Sequence, residues 1–188
     1  MTPSAGDAPP PWTCRLTAVV RLGLDGRRPT ALAVVAYAGT PVGPYGEALL
    51  TELRPPLRVT VPWIVVDSAA SVAAGRAHWG LPKTEAVLQL ELALDRRLQR
   101  ATVGALPDGL RLRARAFGPR LPVVAAAVLA QPGRGPAPLR FHGRGRAGFV
   151  RVTGGPSAGS GPGAVLDGVL RLAAPRRDPA GRVPPSSA

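Results

Sequence analysis

The sequence predicts a mainly β (α+β) fold: a mostly antiparallel β domain with one main helix, its strands closing into sheets or a barrel. Three observations carry that expectation. Strand-length runs, apolar or alternating, recur along the chain and are separated by Gly/Pro-rich turns. One stretch alone, 68–79, carries the signature of a helix. No run approaches the roughly 18 apolar residues of a membrane span; 123–130, as long as any, is far too short.

The elements follow in order. Residues 1–11 are rich in Pro, Ala and Gly and are expected to be disordered. Residues 15–22 alternate weakly and read as a strand; Asp25-Gly26 marks a turn, and 30–38 is an apolar run of strand length. A Gly/Pro loop at 40–44 leads to two strands, 45–53 and 57–66, parted by Arg54-Pro55-Pro56. At 67–79 the pattern changes. Asp67 and Ser68 are good N-cap residues, small residues follow, and Gly80 and Pro82 stop the helix. Strands resume at 86–94 and 98–105. In 109–117, Leu110, Leu112, Ala114 and Ala116 share one face, and Arg111, Arg113 and Arg115 the other. The stretch 121–129 is apolar enough to be buried on both faces. Two further strands are expected near 145–153 and 164–172, with a flexible loop at 154–163. A Pro/Arg/Ser tail, 174–188, is expected to be disordered. The length fits one domain, 12–173, with a proper core.

The formal charge is +13, from 24 basic and 11 acidic side chains. Such a charge invites a nucleic-acid reading. However, 23 of the 24 cations are Arg, in a chain full of Ala, Gly, Pro and Val, as a GC-rich genome would write it. The arginines are also scattered, so a solvated basic surface is expected and a nucleic-acid partner is not. The arginine-rich stretch 133–151 is the one place where phosphate binding would sit, and it would show a steep salt dependence. The opening residues lack a basic region followed by an apolar one, and no membrane partner is expected; a cytoplasmic location is. A single cysteine, Cys14, agrees with a reducing compartment. Two histidines and one cysteine, far apart, give no metal site, and 154–163 lacks the Gly-Lys-Ser/Thr of a P-loop. No cofactor is expected.

Against this background the only lysine, Lys83, stands out. Arg can replace Lys in solubility and in most ion pairs. It cannot replace it as a nucleophile, because guanidinium keeps its proton. Lys83 lies in Trp79-Gly80-Leu81-Pro82-Lys83-Thr84, just past the helix, with Trp79 and Leu81 available as apolar walls. Burial, or a nearby cation such as Arg76, would favour the neutral amine that attacks a carbonyl. Glu47 shares a strand face with Tyr45 and Leu49. It is either a strand-edge carboxylate or an acid/base beside an iminium. Arg76 could bind a substrate carboxylate bidentately; a structural role, pairing with Asp67 or a backbone carbonyl, is the preferred reading. The candidate catalytic residues are Lys83 and Glu47. The candidate substrate-binding residues are Arg76, Tyr45 and Trp79.

These residues form a recognisable series: Gly43-Pro44-Tyr45-Gly46-Glu47, then Val66-Asp67-Ser68, Ala73-Ala74-Gly75-Arg76 and Gly80-Leu81-Pro82-Lys83. In order and spacing the series resembles the acetoacetate decarboxylase family over about residues 36–90. The resemblance implies curved antiparallel sheets forming a cone-like barrel or sandwich, and a homo-oligomer. It implies that Lys83 is the Schiff-base lysine and Glu47 a carboxylate in the pocket. Acetoacetate decarboxylase exemplifies a lysine activated by desolvation or a neighbouring cation. Several family positions differ. Thr84 stands where a second lysine is expected, and Ala33 where a second glutamate is. Ala77 replaces a glutamate, and an arginine near the family's N-terminus has no clear match, Arg15 being the residue that stands in that region. The implied function is therefore a Schiff-base lyase acting on a small keto acid or ketone, by decarboxylation or by aldol/dehydration-type chemistry. The alternative is a non-catalytic member that binds a small ligand or only assembles.

Overall fold

The computed structural model describes residues 8–104 and 109–176. Eleven elements follow one another: β1 (Trp12–Asp25), β2 (Arg28–Gly39), β3 (Tyr45–Arg54), β4 (Arg58–Val66), α1 (Ala69–Trp79), β5 (Lys83–Glu85), β6 (Leu88–Glu91), β7 (Leu98–Val103), β8 (Leu110–Leu129), β9 (Ala137–Thr153) and β10 (Gly159–Leu172). The strands form one curved sheet in the order β5-β4-β3-β2-β1-β10-β9-β8-β7-β6. A short parallel pairing of Arg58 and Val59 with Val128 and Leu129 joins β4 to β8. That contact closes β4, β3, β2, β1, β10, β9 and β8 into a ring. The mainly β architecture with one main helix is therefore as the sequence predicts.

The boundaries differ in instructive ways. The stretches 109–117 and 121–129 are one strand, β8, with a register shift between Phe117 and Leu121. β9 begins at Ala137, well before 145, and β10 takes up part of the expected loop at 154–163. The stretch 86–94 holds only the short β6, while Lys83 itself opens a strand, β5. The expected disorder at the termini falls mostly on 1–7 and 177–188, which lie outside the described residues, as does Ala105. Among the described residues, no helix is long and apolar enough to cross a membrane.

β1 to β4 are apolar on both faces because each face meets a separate core. One core gathers Trp12, Cys14, Tyr37, Tyr45, Ile64 and Trp79 beneath α1. The other gathers Val19, Leu32, Val34, Ala48 and Val65 against Leu110, Leu112 and Ala114 of β8 and Val150 and Val152 of β9. Even-numbered residues at the start of β8 feed the second core. Further along, the odd-numbered Val123 and Leu129, on the opposite face, feed the first. Between them, β8 is not buried on both faces: Leu121 is 58% and Val124 85% exposed. Uniform apolarity in 121–129 hides which face is wet, and a period-2 signal is what would have told them apart.

Candidate active site

The first core contains a cavity, and α1 and β5 shape it. Ser68 caps the helix by accepting a hydrogen bond from the Ser71 amide at 3.2 Å. Asp67 does not cap. Its Oδ1 accepts from the Gly46 amide at 2.7 Å, tying the start of β3 to the end of β4. Gly80 ends the helix in the left-handed conformation, φ 66°, with its amide on the Arg76 carbonyl. The chain then turns back, and Lys83 pairs in parallel with Ile64. Gly75 faces it: a Cβ there would lie 2.7 Å from Lys83 Cδ and 2.8 Å from Cε. Only glycine lets the helix pass this close to the lysine stem.

Lys83 Nζ is therefore held in the interior, with 4% of the side chain exposed. It donates to Glu47 Oε2 at 2.7 Å and to Ser71 Oγ at 2.8 Å. It also sits 5.2 Å from the centroid of the Tyr45 ring. Glu47, 5% exposed, accepts a second bond from the Tyr37 hydroxyl at 3.2 Å through Oε1. β2 and β3 set Tyr37 directly opposite Tyr45, and Glu47 follows Tyr45 by two residues on the same face. The structure thus brings Lys83, Glu47, Tyr45 and Trp79 to one cavity. Arg76 is not in its lining. It is exposed, and its Nε donates to the Lys83 carbonyl at 2.8 Å, the structural role preferred above. Thr84 and Arg15 are exposed as well.

Sequence reasoning missed Ser71 and Tyr37. Ser71 lies one helical turn before Gly75, so the face carrying the glycine carries the serine too. Tyr37 could have been found from the hairpin register that sets it against Tyr45. The rest of the wall is apolar, with Trp12 against Trp79 edge-to-face at 5.0 Å between centroids. Both indole N–H groups point elsewhere, to the Ala8 and Ala173 carbonyls at 3.0 and 2.9 Å.

Burial and the Glu47 charge set the neighbouring acids. The Cys14 thiol is pushed up to about 12, first by desolvation and then by Glu47. The Tyr37 and Tyr45 phenols are raised for the same two reasons. All three stay neutral at ordinary pH, so among the described residues the lining holds one ion pair, Lys83 and Glu47. Among the described residues no group of three His, Cys, Asp or Glu side chains could hold a metal ion.

This architecture has solved counterparts. An acetoacetate decarboxylase-like enzyme from Sphingomonas wittichii RW1 superposes with a TM-score of 0.60 at 14% identity, over 95% of this chain and 98% of that one. Acetoacetate decarboxylase from Legionella pneumophila gives 0.58 at 12% identity, over 89% and 87%. The fold is that of acetoacetate decarboxylase. A further acetoacetate decarboxylase structure gives 0.55 at 13% identity, over 93% of this chain and 92% of that chain. No protein-family model and no curated protein matches the sequence. The acetoacetate decarboxylase resemblance read from residues 36–90 thus extends, at the level of fold, to most of the chain.

Proposed function

We propose that the chain is an acetoacetate decarboxylase-like enzyme that forms a Schiff base between Lys83 and a small keto acid or ketone. The observation that carries this reading is the isolated, buried Lys83–Glu47 pair at 2.7 Å, facing an apolar cavity in this fold. A lysine in such a place needs a partner to take its proton before it can attack. Glu47 is that partner. Moving the proton from Nζ to the carboxylate leaves two neutral groups, which a water-poor cavity tolerates better than separated charges. The freed amine lone pair adds to the carbonyl carbon, and the carbonyl oxygen takes the proton back from Glu47. Glu47 then relays a second proton from the adduct nitrogen to the new hydroxyl, which leaves as water and gives the iminium. The balance is ammonium plus ketone giving iminium plus water, with Glu47 again a carboxylate. The iminium then accepts the electron pair released by loss of CO₂ or of an α-proton, with Glu47 placed to act as the base.

Exchange of α-protons tests this directly. In D₂O the protein should catalyse deuterium incorporation into a ketone or oxo acid, followed by NMR, and Lys83→Arg should abolish it. No exchange by the folded native protein would leave the non-catalytic binding reading in its place.

The expected homo-oligomer belongs here too. Between the β7 and β4 pairings, one edge of β8 has no strand beside it among the described residues. The Val128 amide points to that side, onto the Leu57 carbonyl, so the Val124 and Ala126 amides point there as well. An apolar free edge of this kind pairs with a second copy of itself; sedimentation velocity that returned only monomer would remove this part of the proposal.

A further inference from the structure

We infer that the carbonyl compound admitted to Lys83 is uncharged, a small ketone or aldehyde with an apolar tail, and not a keto acid. The inference rests on the Schiff-base reading above and narrows it. A keto acid brings a carboxylate, and a buried carboxylate needs a cation or several donors. The cavity supplies neither. Among the described residues its only charged lining groups are Lys83 and Glu47, and they are already bonded to each other. Arg76 and Arg15, the two arginines nearest the site in sequence logic, are exposed and outside the lining.

The donors are also committed. The Trp12 and Trp79 indoles bond backbone carbonyls, and Tyr37 bonds Glu47. The Tyr45 hydroxyl and Cys14 thiol remain, and neither carries a charge that could offset a carboxylate. Charge balance along the reaction gives the same answer. With a neutral ketone, the iminium cation replaces the ammonium opposite Glu47, and the site stays neutral throughout. With a keto acid, the site carries one uncompensated negative charge, facing Glu47, from binding onward.

Size and surface agree. The cavity measures about 90 Å³. That is several times the roughly 10–15 Å³ that a single water needs, so the space suits a small molecule. Much of the remaining wall is hydrocarbon, including Leu49, Val61 and Ile64, with the half-buried Leu139, Leu170 and Leu172 also lining it.

A matched pair of probes tests the inference on the full-length protein. 5-Methylhexan-2-one and 4-oxopentanoate have the same carbonyl position and the same number of non-hydrogen atoms; an isopropyl group stands where the acid has its carboxylate. Each is reduced onto the protein with cyanoborohydride, and adducts on Lys83 and on the N-terminal amine are counted by peptide mass spectrometry. The N-terminus, the only other amine, corrects for intrinsic reactivity. The Lys83 to N-terminus ratio should be at least tenfold higher for the ketone. Leu139→Arg, which adds a cation to the lining at a half-buried position, should reverse the preference. Equal ratios, or a higher one for the acid, would overturn the neutral-substrate inference and leave the reactive amine standing. No Lys83 adduct from either compound would overturn the Schiff-base reading and this inference together.

Discussion

With 4% and 5% of their side chains exposed, Lys83 and Glu47 would each be costly to bury as a lone charge, and each is bearable only because of the other. That dependence shapes what a substitution does. Glu47→Gln keeps the shape and removes the proton acceptor. It should slow α-proton exchange by about 100-fold, within the usual range for a general base, while adducts trapped at long times decline much less. Exchange that stays at the parent rate in Glu47→Gln would make Glu47 structural. At this scale the sequence was most informative about chemistry. A chain with one lysine among 24 basic residues marks that lysine. The helix-stop context and the Gly-Pro-Tyr-Gly-Glu run marked its partner. Ser71 and Tyr37 stayed hidden, because a serine in a small-residue helix and a tyrosine in a strand have many ordinary roles. Only the packing of α1 on β5, and the β2–β3 register, give them theirs.

Among the elements, α1 and β5 act as one device. The helix presents Ser71 and Gly75 to the lysine, the left-handed Gly80 turns the chain, and Arg76 holds the Lys83 carbonyl. Gly75→Ala separates fold from function here. Alanine is the better helix former by about 1 kcal/mol, yet its Cβ would fall 2.7–2.8 Å from the lysine stem. The helix should therefore survive, with a melting temperature within a few degrees of the parent. The rate of Lys83 labelling should fall about tenfold as Nζ loses its position, an effect of about 1.4 kcal/mol. Unchanged labelling would show that the close approach is incidental. The helix was legible from its cap, small residues and Gly-Pro stop. The 109–117 strand was legible from its alternation. β8 as one long strand was not, because Gly118-Pro119 reads as a break in local terms, and only pairing with β9 carries the strand across it.

Across the whole molecule, the ring of strands wraps one core around a cavity that keeps its thiol and phenols neutral. That has a consequence for stability. The Cys14 thiol titrates near 9 when unperturbed and near 12 in the folded chain, and the Tyr37 and Tyr45 phenols are raised above 10. A group whose folded value is raised contributes fully below its unfolded value. The contribution is lost as pH rises, because the unfolded chain sheds protons that the folded chain still holds. The melting temperature should hold up to about pH 9 and then fall steadily toward pH 11. Cys14→Ala and Tyr37→Phe should each flatten that fall. A flat profile in the parent would mean that these groups are not buried as described. Closure of the ring itself lies beyond sequence reasoning: it depends on two residue pairs between β4 and β8, 70 positions apart.

The measurement closest to the central claim is borohydride trapping, with the modified residue located by peptide mass spectrometry. Small ketones, aldehydes and 2- and 3-oxo acids would be offered to the native protein, with Lys83→Arg as the control. A stable secondary amine should form at Lys83 with at least one carbonyl compound, and none in the variant. Labelling confined to the N-terminus of a folded protein, with every compound, would contradict the Schiff-base reading.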